Sequence, residues 1–135
     1  MNNFDNFIKN FSLKSRHHQK LTNFLLPELK KIKIANILEF GVSDQAMSTE
    51  LFIEYSIKEK CKIYSIDNID YGSKFNSELW KFILSRDDNF NFVKNQIPEK
   101  FELILLDTIH EAKHVEKIFY NYFDLLKKDC FFFYR

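Results

Sequence analysis

A chain of 135 residues has room for one domain with one core, and at this length neither a disulfide nor a metal is needed as a staple. Its 45% apolar and 29% charged residues exclude a disordered tail or a collagen-like chain, and no apolar run approaches the ~20 residues of a spanning helix. The net charge of +1 is unevenly placed, with seven Lys/Arg against Glu28 alone over residues 9–33, and 13 basic against 17 acidic residues over 34–135.

Residues 12–33 read as helical, with Leu21, Phe24, Leu25 and Leu29 on one buried stripe and Pro27 kinking or dividing the segment. Its charges lie on the other face. No aromatic interleaving accompanies them, so a solvated face is expected rather than a nucleic-acid interface. Residues 34–40 form a short apolar run closed by Gly41, which suits a buried strand. A helix is expected over 48–60 through Leu51, Phe52, Tyr55 and Ile57, then a second strand over 62–66 ending in Asp67 and Asn68. Residues 77–84 read as a helix and 90–93 as a short strand. Residues 101–106 carry the strongest strand signal and end at Asp107. A long amphipathic helix over 110–127 and a last strand over 130–134 complete the chain.

Strands that are apolar throughout, each followed by a helical segment, describe an α/β fold: an open, doubly wound, mostly parallel sheet of about five strands. In such sheets ligands bind outside the carboxyl ends of the strands. Gly41, Asp67 and Asp107 each fall just past such an end, and together they form a candidate site. Glycine there permits positive φ and close approach of a ligand to the backbone. The helix opening near Ser48 and Thr49 offers N–H groups to an anion. Asp67, 26 residues beyond Gly41, is placed to accept hydrogen bonds from the ribose of a nucleotide-like ligand.

Three segments carry a family likeness: Ile37-Leu38-Glu39-Phe40-Gly41-Val42 followed by Ser48-Thr49, Ile63-Tyr64-Ser65-Ile66-Asp67, and Phe101-Glu102-Leu103-Ile104-Leu105-Leu106-Asp107 with His110. They resemble the class I S-adenosylmethionine-dependent methyltransferases, in particular the small-molecule and sugar-modifying branch, from about residue 35 onward. The resemblance implies a Rossmann-like core of strand order 3-2-1-4-5 over residues 34–135, preceded by a helical extension over 1–33. It implies S-adenosyl-L-methionine as cofactor and methyl transfer to a small molecule or a sugar hydroxyl. Glu39 and Gly41 would border the methionine end, with Ser43 beside them and Ser48 and Thr49 opening the cofactor-facing helix. Asp67, with Asn68, would hold the ribose, and Asp87 or Asp88 the adenine edge. Asp107 would lie beside the sulfonium and the substrate, with His110 as the base, since its ordinary pKa lies close to neutral.

The sequence departs from the family pattern at Gln45-Ala46, where a second loop glycine is usual, and at Lys128-Asp129, where two glycines are usual. The family also continues past the fifth strand with a hairpin. The alternative reading is therefore a truncated, catalytically inactive domain acting as a binding or oligomerisation module through an exposed edge at 131–134. Asp107 alone is a poor magnesium site, so no metal is expected. His110-Glu111-Ala112-Lys113-His114 matches the H-E-x-x-H pattern of zinc hydrolases. However, Thr108-Ile109-His110-Glu111 also reads as a capping box, which accounts for the glutamate without zinc. His17 and His18 read as surface residues, and Cys61 and Cys130 as small buried apolar ones. Two cysteines and an N-terminus without a signal-peptide layout lead to a cytoplasmic expectation. The expected partner is a small-molecule substrate, without nucleic acid or membrane and with homo-oligomerisation open.

Overall fold

The computed structural model describes residues 2–97, 100–107 and 111–134. Asn36–Phe40 (β1) is buried at all of its positions, as a central parallel strand covered on both faces must be. Side chains alternate between the faces of a strand, and that alternation sorts the core into two layers. Ile37 joins Ile63, Leu103 and Leu105 in one cluster, whereas Leu38 and Phe40 join Tyr64, Ile66, Ile104 and Leu106 in the other.

The other strands are Lys62–Asp67 (β2), Trp80–Leu84 (β3), Phe101–Leu106 (β4) and Leu126–Tyr134 (β5). All pairings are parallel, in the order β3-β2-β1-β4-β5. Helices Asn3–Ser12 (α1), Arg16–Lys31 (α2) and Met47–Glu59 (α3) cover the first face through Phe4, Phe11, Leu21, Leu25, Leu29, Leu51 and Phe52. Helices Phe90–Gln96 (α4) and Ala112–Tyr122 (α5) cover the second through Val93, Ile118 and Tyr122. None of the described helices is long and apolar enough to cross a membrane.

The register makes the carboxyl ends level, pairing Phe40 with both Ile66 and Leu106. The ladder then runs one residue further: Gly41 N–H donates to Ile66 O and Asp107 N–H to Phe40 O, both at 2.8 Å. Gly41, Asp67 and Asp107 are thereby fixed on one rim.

Several elements differ from the sequence reading. The helix expected over 12–33 begins at Arg16, where Ser15 accepts from the His18 N–H, and it continues through Pro27. A separate helix, α1, precedes it, capped by Asn2 accepting from Asp5 N–H. The three- and four-residue spacing of Phe4, Phe7, Ile8 and Phe11 was its unread signal. The helix expected over 77–84 is the edge strand β3: Leu79, Trp80, Ile83 and Leu84 mimic a helical period, but the exposure pattern along β3 leaves only Ile83 buried. The strand expected over 90–93 is the start of α4, a two-turn helix that anchors itself through Val93. Short aromatic runs do not separate the two periodicities, and tertiary placement decides. Helix α5 stops at Tyr122, a 3-10 turn spans Phe123–Leu125, and β5 starts four residues earlier than expected. Glu111 is itself the N-cap of α5 and makes no side-chain cap, so it does not occupy the third helical position that a capping box requires; Thr108 and His110 lie outside the described residues.

Glu102 ties three segments at the opposite end of the sheet. Its Oε1 accepts from the N–H groups of Ala35 (3.2 Å) and Asn36 (3.0 Å), and its Oε2 from Lys127 Nζ (2.7 Å). Burial opposes ionisation, but Lys127 and the Asn36 N–H outweigh it and hold the carboxyl below its ordinary range. Glu102→Ala leaves two inward N–H groups unpaired and should cost about 2–3 kcal/mol in urea denaturation. Glu102→Gln, which keeps an acceptor there, should cost less than half as much.

Candidate functional site

The loop between β1 and α3 carries three left-handed residues: Gly41 (φ 98°), Ser43 (φ 66°) and Ala46 (φ 48°). They fall at the first, third and sixth positions of a G-x-G-x-x-G pattern, a spacing hidden in the sequence because two of the three are not glycine. Left-handed backbone at Ser43 and Ala46 costs about 1 kcal/mol each. Asp67 offsets this, its Oδ2 accepting from the N–H groups of Val42 (2.9 Å) and Ser43 (3.3 Å). Its Oδ1 accepts from Ile69 N–H at 3.1 Å. A carboxylate offers about four acceptor positions, so Oδ1 retains capacity toward the rim.

A cavity of about 330 Å³ opens at the carboxyl ends of β1, β2, β3 and β4, at the small end of the roughly 300–1,000 Å³ range of ligand sites. Of the residues singled out in the sequence, Gly41, Ser43, Asp67, Asn68, Asp87 and Asp107 line it, joined by Ile66, Ser85 and Arg86. Asp88 does not. The Arg86 guanidinium grips it through Nε (2.9 Å) and Nη2 (3.0 Å) and holds its carboxyl below the usual range. His110 lies outside the described residues.

Helix α5 supplies a residue the sequence reading left to a zinc motif. His114 Nε2 lies 2.8 Å from Asp87 Oδ2, and Tyr122 donates its hydroxyl to Asp87 O at 2.7 Å. Ligand atoms of Asp87, Asp88 and His114 come within 4.8 Å of one another. Arg86 already brings positive charge to that cluster and His114 is directed at Asp87, so a cation there would have to displace both contacts.

Glu39, Ser48 and Thr49, expected along the cofactor, are placed elsewhere. Glu39 shares the face of Ile37 and points at α3, where it is fully buried. Ser48, Thr49 and Ser65 donate their hydroxyls to it, the latter two at 2.6 and 2.7 Å, and Trp80 Nε1 donates to Ser65 Oγ at 3.0 Å. The strand period explains where Glu39 points: only even-numbered residues of β1 face α5, and the rim begins at Gly41. An acid inside an apolar strand with a Ser-Thr pair nine residues on was the available signal.

Burial pushes the Glu39 carboxyl up to about 7; the three hydroxyls act the other way, and Asp107 adds to the rise. A carboxyl raised on folding stabilises the protein most below its unfolded value near 4.5. That contribution is lost as pH rises to about 7 and is flat above it. Between pH 5 and pH 8 the wild type should therefore lose roughly 2–3 kcal/mol relative to Glu39→Gln, measured by urea denaturation at both pH values.

No protein-family model matches the chain, and no curated protein matches it. Solved structures do. MycE methyltransferase from the mycinamycin biosynthetic pathway, in complex with Mg and SAH, aligns with a TM-score of 0.72 and 16% identity over 84% of this chain. N-methyltransferase NodS from Bradyrhizobium japonicum WM9 aligns with a TM-score of 0.64 and 16% identity over 90%. SAH-bound Podospora anserina methyltransferase PaMTH1 aligns with a TM-score of 0.64 and 14% identity over 99%. The chain spans 31%, 68% and 62% of those three proteins, respectively. With its parallel sheet in the order β3-β2-β1-β4-β5, this chain has the class I methyltransferase fold.

Proposed function

We propose that the cavity above β1, β2, β3 and β4 binds S-adenosyl-L-methionine and that the chain takes part in methyl transfer to a small molecule or sugar hydroxyl. The observation that carries this reading is the convergence of Gly41, Asp67, Asp87 and Asp107 on one cavity. The fold's neighbours MycE and PaMTH1 hold SAH, and those complexes support the choice of ligand.

The donor set fits an adenosyl group. Asp67 Oδ1 is available to a ribose hydroxyl, and a second hydroxyl would compete with the longer Ser43 contact at 3.3 Å. Asn68 flanks that position. Gly41, without a Cβ, lets the amino-acid end of the ligand approach the rim. Asp87 provides an acceptor for the adenine amine. When bound, S-adenosylmethionine supplies a methyl group already activated by its sulfonium, so the protein's task is alignment. Asp107 orients the acceptor hydroxyl beside that end, and His110 is the residue proposed to take its proton. The buried Glu39 with Ser48 and Thr49 is assigned the role of joining α3 to the sheet beneath the loop.

Calorimetry on the purified chain should give a micromolar Kd for S-adenosylhomocysteine. Asp67→Ala should abolish uptake, and Asp67→Asn, which keeps one acceptor, should weaken it by about tenfold. Absence of uptake by the wild type would sink this reading. Uptake without methyl transfer to any hydroxyl acceptor would leave the binding-module alternative in its place.

A further inference from the structure

Helix α5 reaches the wall of the cavity twice, and both contacts fall on Asp87. Tyr122, fully buried between Phe40 and Phe90, fixes the Asp87 backbone through its carbonyl. Two turns earlier on the same helix, His114 meets the Asp87 carboxylate. Both side chains are largely withdrawn from solvent, His114 at 14% and Asp87 at 11% exposure. A hydrogen bond this sheltered from water orients its partners more firmly than a surface pair does.

The contact has a competitor. Arg86 precedes Asp87 in the chain and grips Asp88 with two nitrogens, while Lys117, three residues after His114, stands 3.9 Å from Asp88. The same guanidinium attracts the Asp87 carboxylate, and His114 is a donor that opposes that pull from the α5 side. A carboxylate is acceptor-only, so the ring must present Nε2–H to Oδ2, and that contact holds Oδ2 on the α5 side.

We propose that His114 is a positioning residue that sets the base specificity of the cavity: by holding Asp87 as an acceptor at the wall, it makes the site select a purine bearing a 6-amino group over its 6-oxo counterpart. The inference rests on the cofactor reading above. An acceptor held in place meets the amine as a hydrogen-bond partner and meets a 6-oxo group as a second acceptor. A site built to pair one polar group rejects the analogue that leaves its own group unpaired.

The test compares S-adenosylhomocysteine with S-inosylhomocysteine, each titrated calorimetrically into wild type, His114→Leu and His114→Gln. The wild type should prefer the adenosyl ligand by about tenfold or more. His114→Leu, which fills the space without a donor, should bring the ratio close to one, chiefly by weakening the adenosyl ligand. His114→Gln, which restores an N–H donor, should recover most of the preference. The same ratio read in His114→Ala guards against a folding defect confined to the leucine variant. A preference retained in His114→Leu and His114→Ala, or equal losses for both ligands, overturns the inference and leaves the cofactor reading intact. Failure of the wild type to bind either ligand overturns the cofactor reading, and this inference with it.

Discussion

The two-residue period of β1 is the constraint from which the site follows. Ile37 and Glu39 face α3, Leu38 and Phe40 face α5, and the next residue, Gly41, begins the rim. A slip of one residue would carry the Glu39 carboxyl into the apolar layer around Tyr64, Ile104 and Tyr122. It would also strip Ser48, Thr49 and Ser65 of their common acceptor. Because β1 is paired on both sides, its register sets the height at which β2 and β4 end. The cavity is thus a product of strand pairing as much as of the residues around it.

Acidic side chains divide the labour of holding the loops. Asp67 pins the turn after β1 to the end of β2, and Asp87 is held by α5 at the end of β3. Asp44 receives Tyr71 on a carboxylate oxygen and Lys74 on its backbone carbonyl, which draws the segment after β2 over the same loop. The joint effect of these ties is a cavity whose walls are tied by the chain's own hydrogen bonds, which would lower the ordering cost for a ligand bound there.

Much of this was legible from residues alone. Apolar runs bounded by Gly41, Asp67 and Asp107 implied parallel strands and a ligand rim at their carboxyl ends, and the order 3-2-1-4-5, which came from the family resemblance, is the one observed. The errors have local causes. Trp80–Leu84 and Phe90–Gln96 were exchanged in type because each is short and rich in aromatics, and only the neighbour each finds in space decides between strand and helix. Glu39, Ser48 and Thr49 were expected along the cofactor, whereas strand parity turns Glu39 toward α3, where Ser48 and Thr49 donate to it. His114 entered only through a metal pattern that was set aside, since its partner Asp87 lies 27 residues away and no spacing rule links them.

The rim loop bears on how such a chain changes over time. Glycine at position 43 or 46 would relieve a left-handed conformation but would enlarge the freedom of the unfolded chain, an entropic penalty of about 0.5–1 kcal/mol. The two effects are of similar size and opposite sign, so exchange among Gly, Ser and Ala there is close to neutral. A chain poor in glycine can therefore depart from the recognisable letters of the motif while keeping the backbone path that those letters specify.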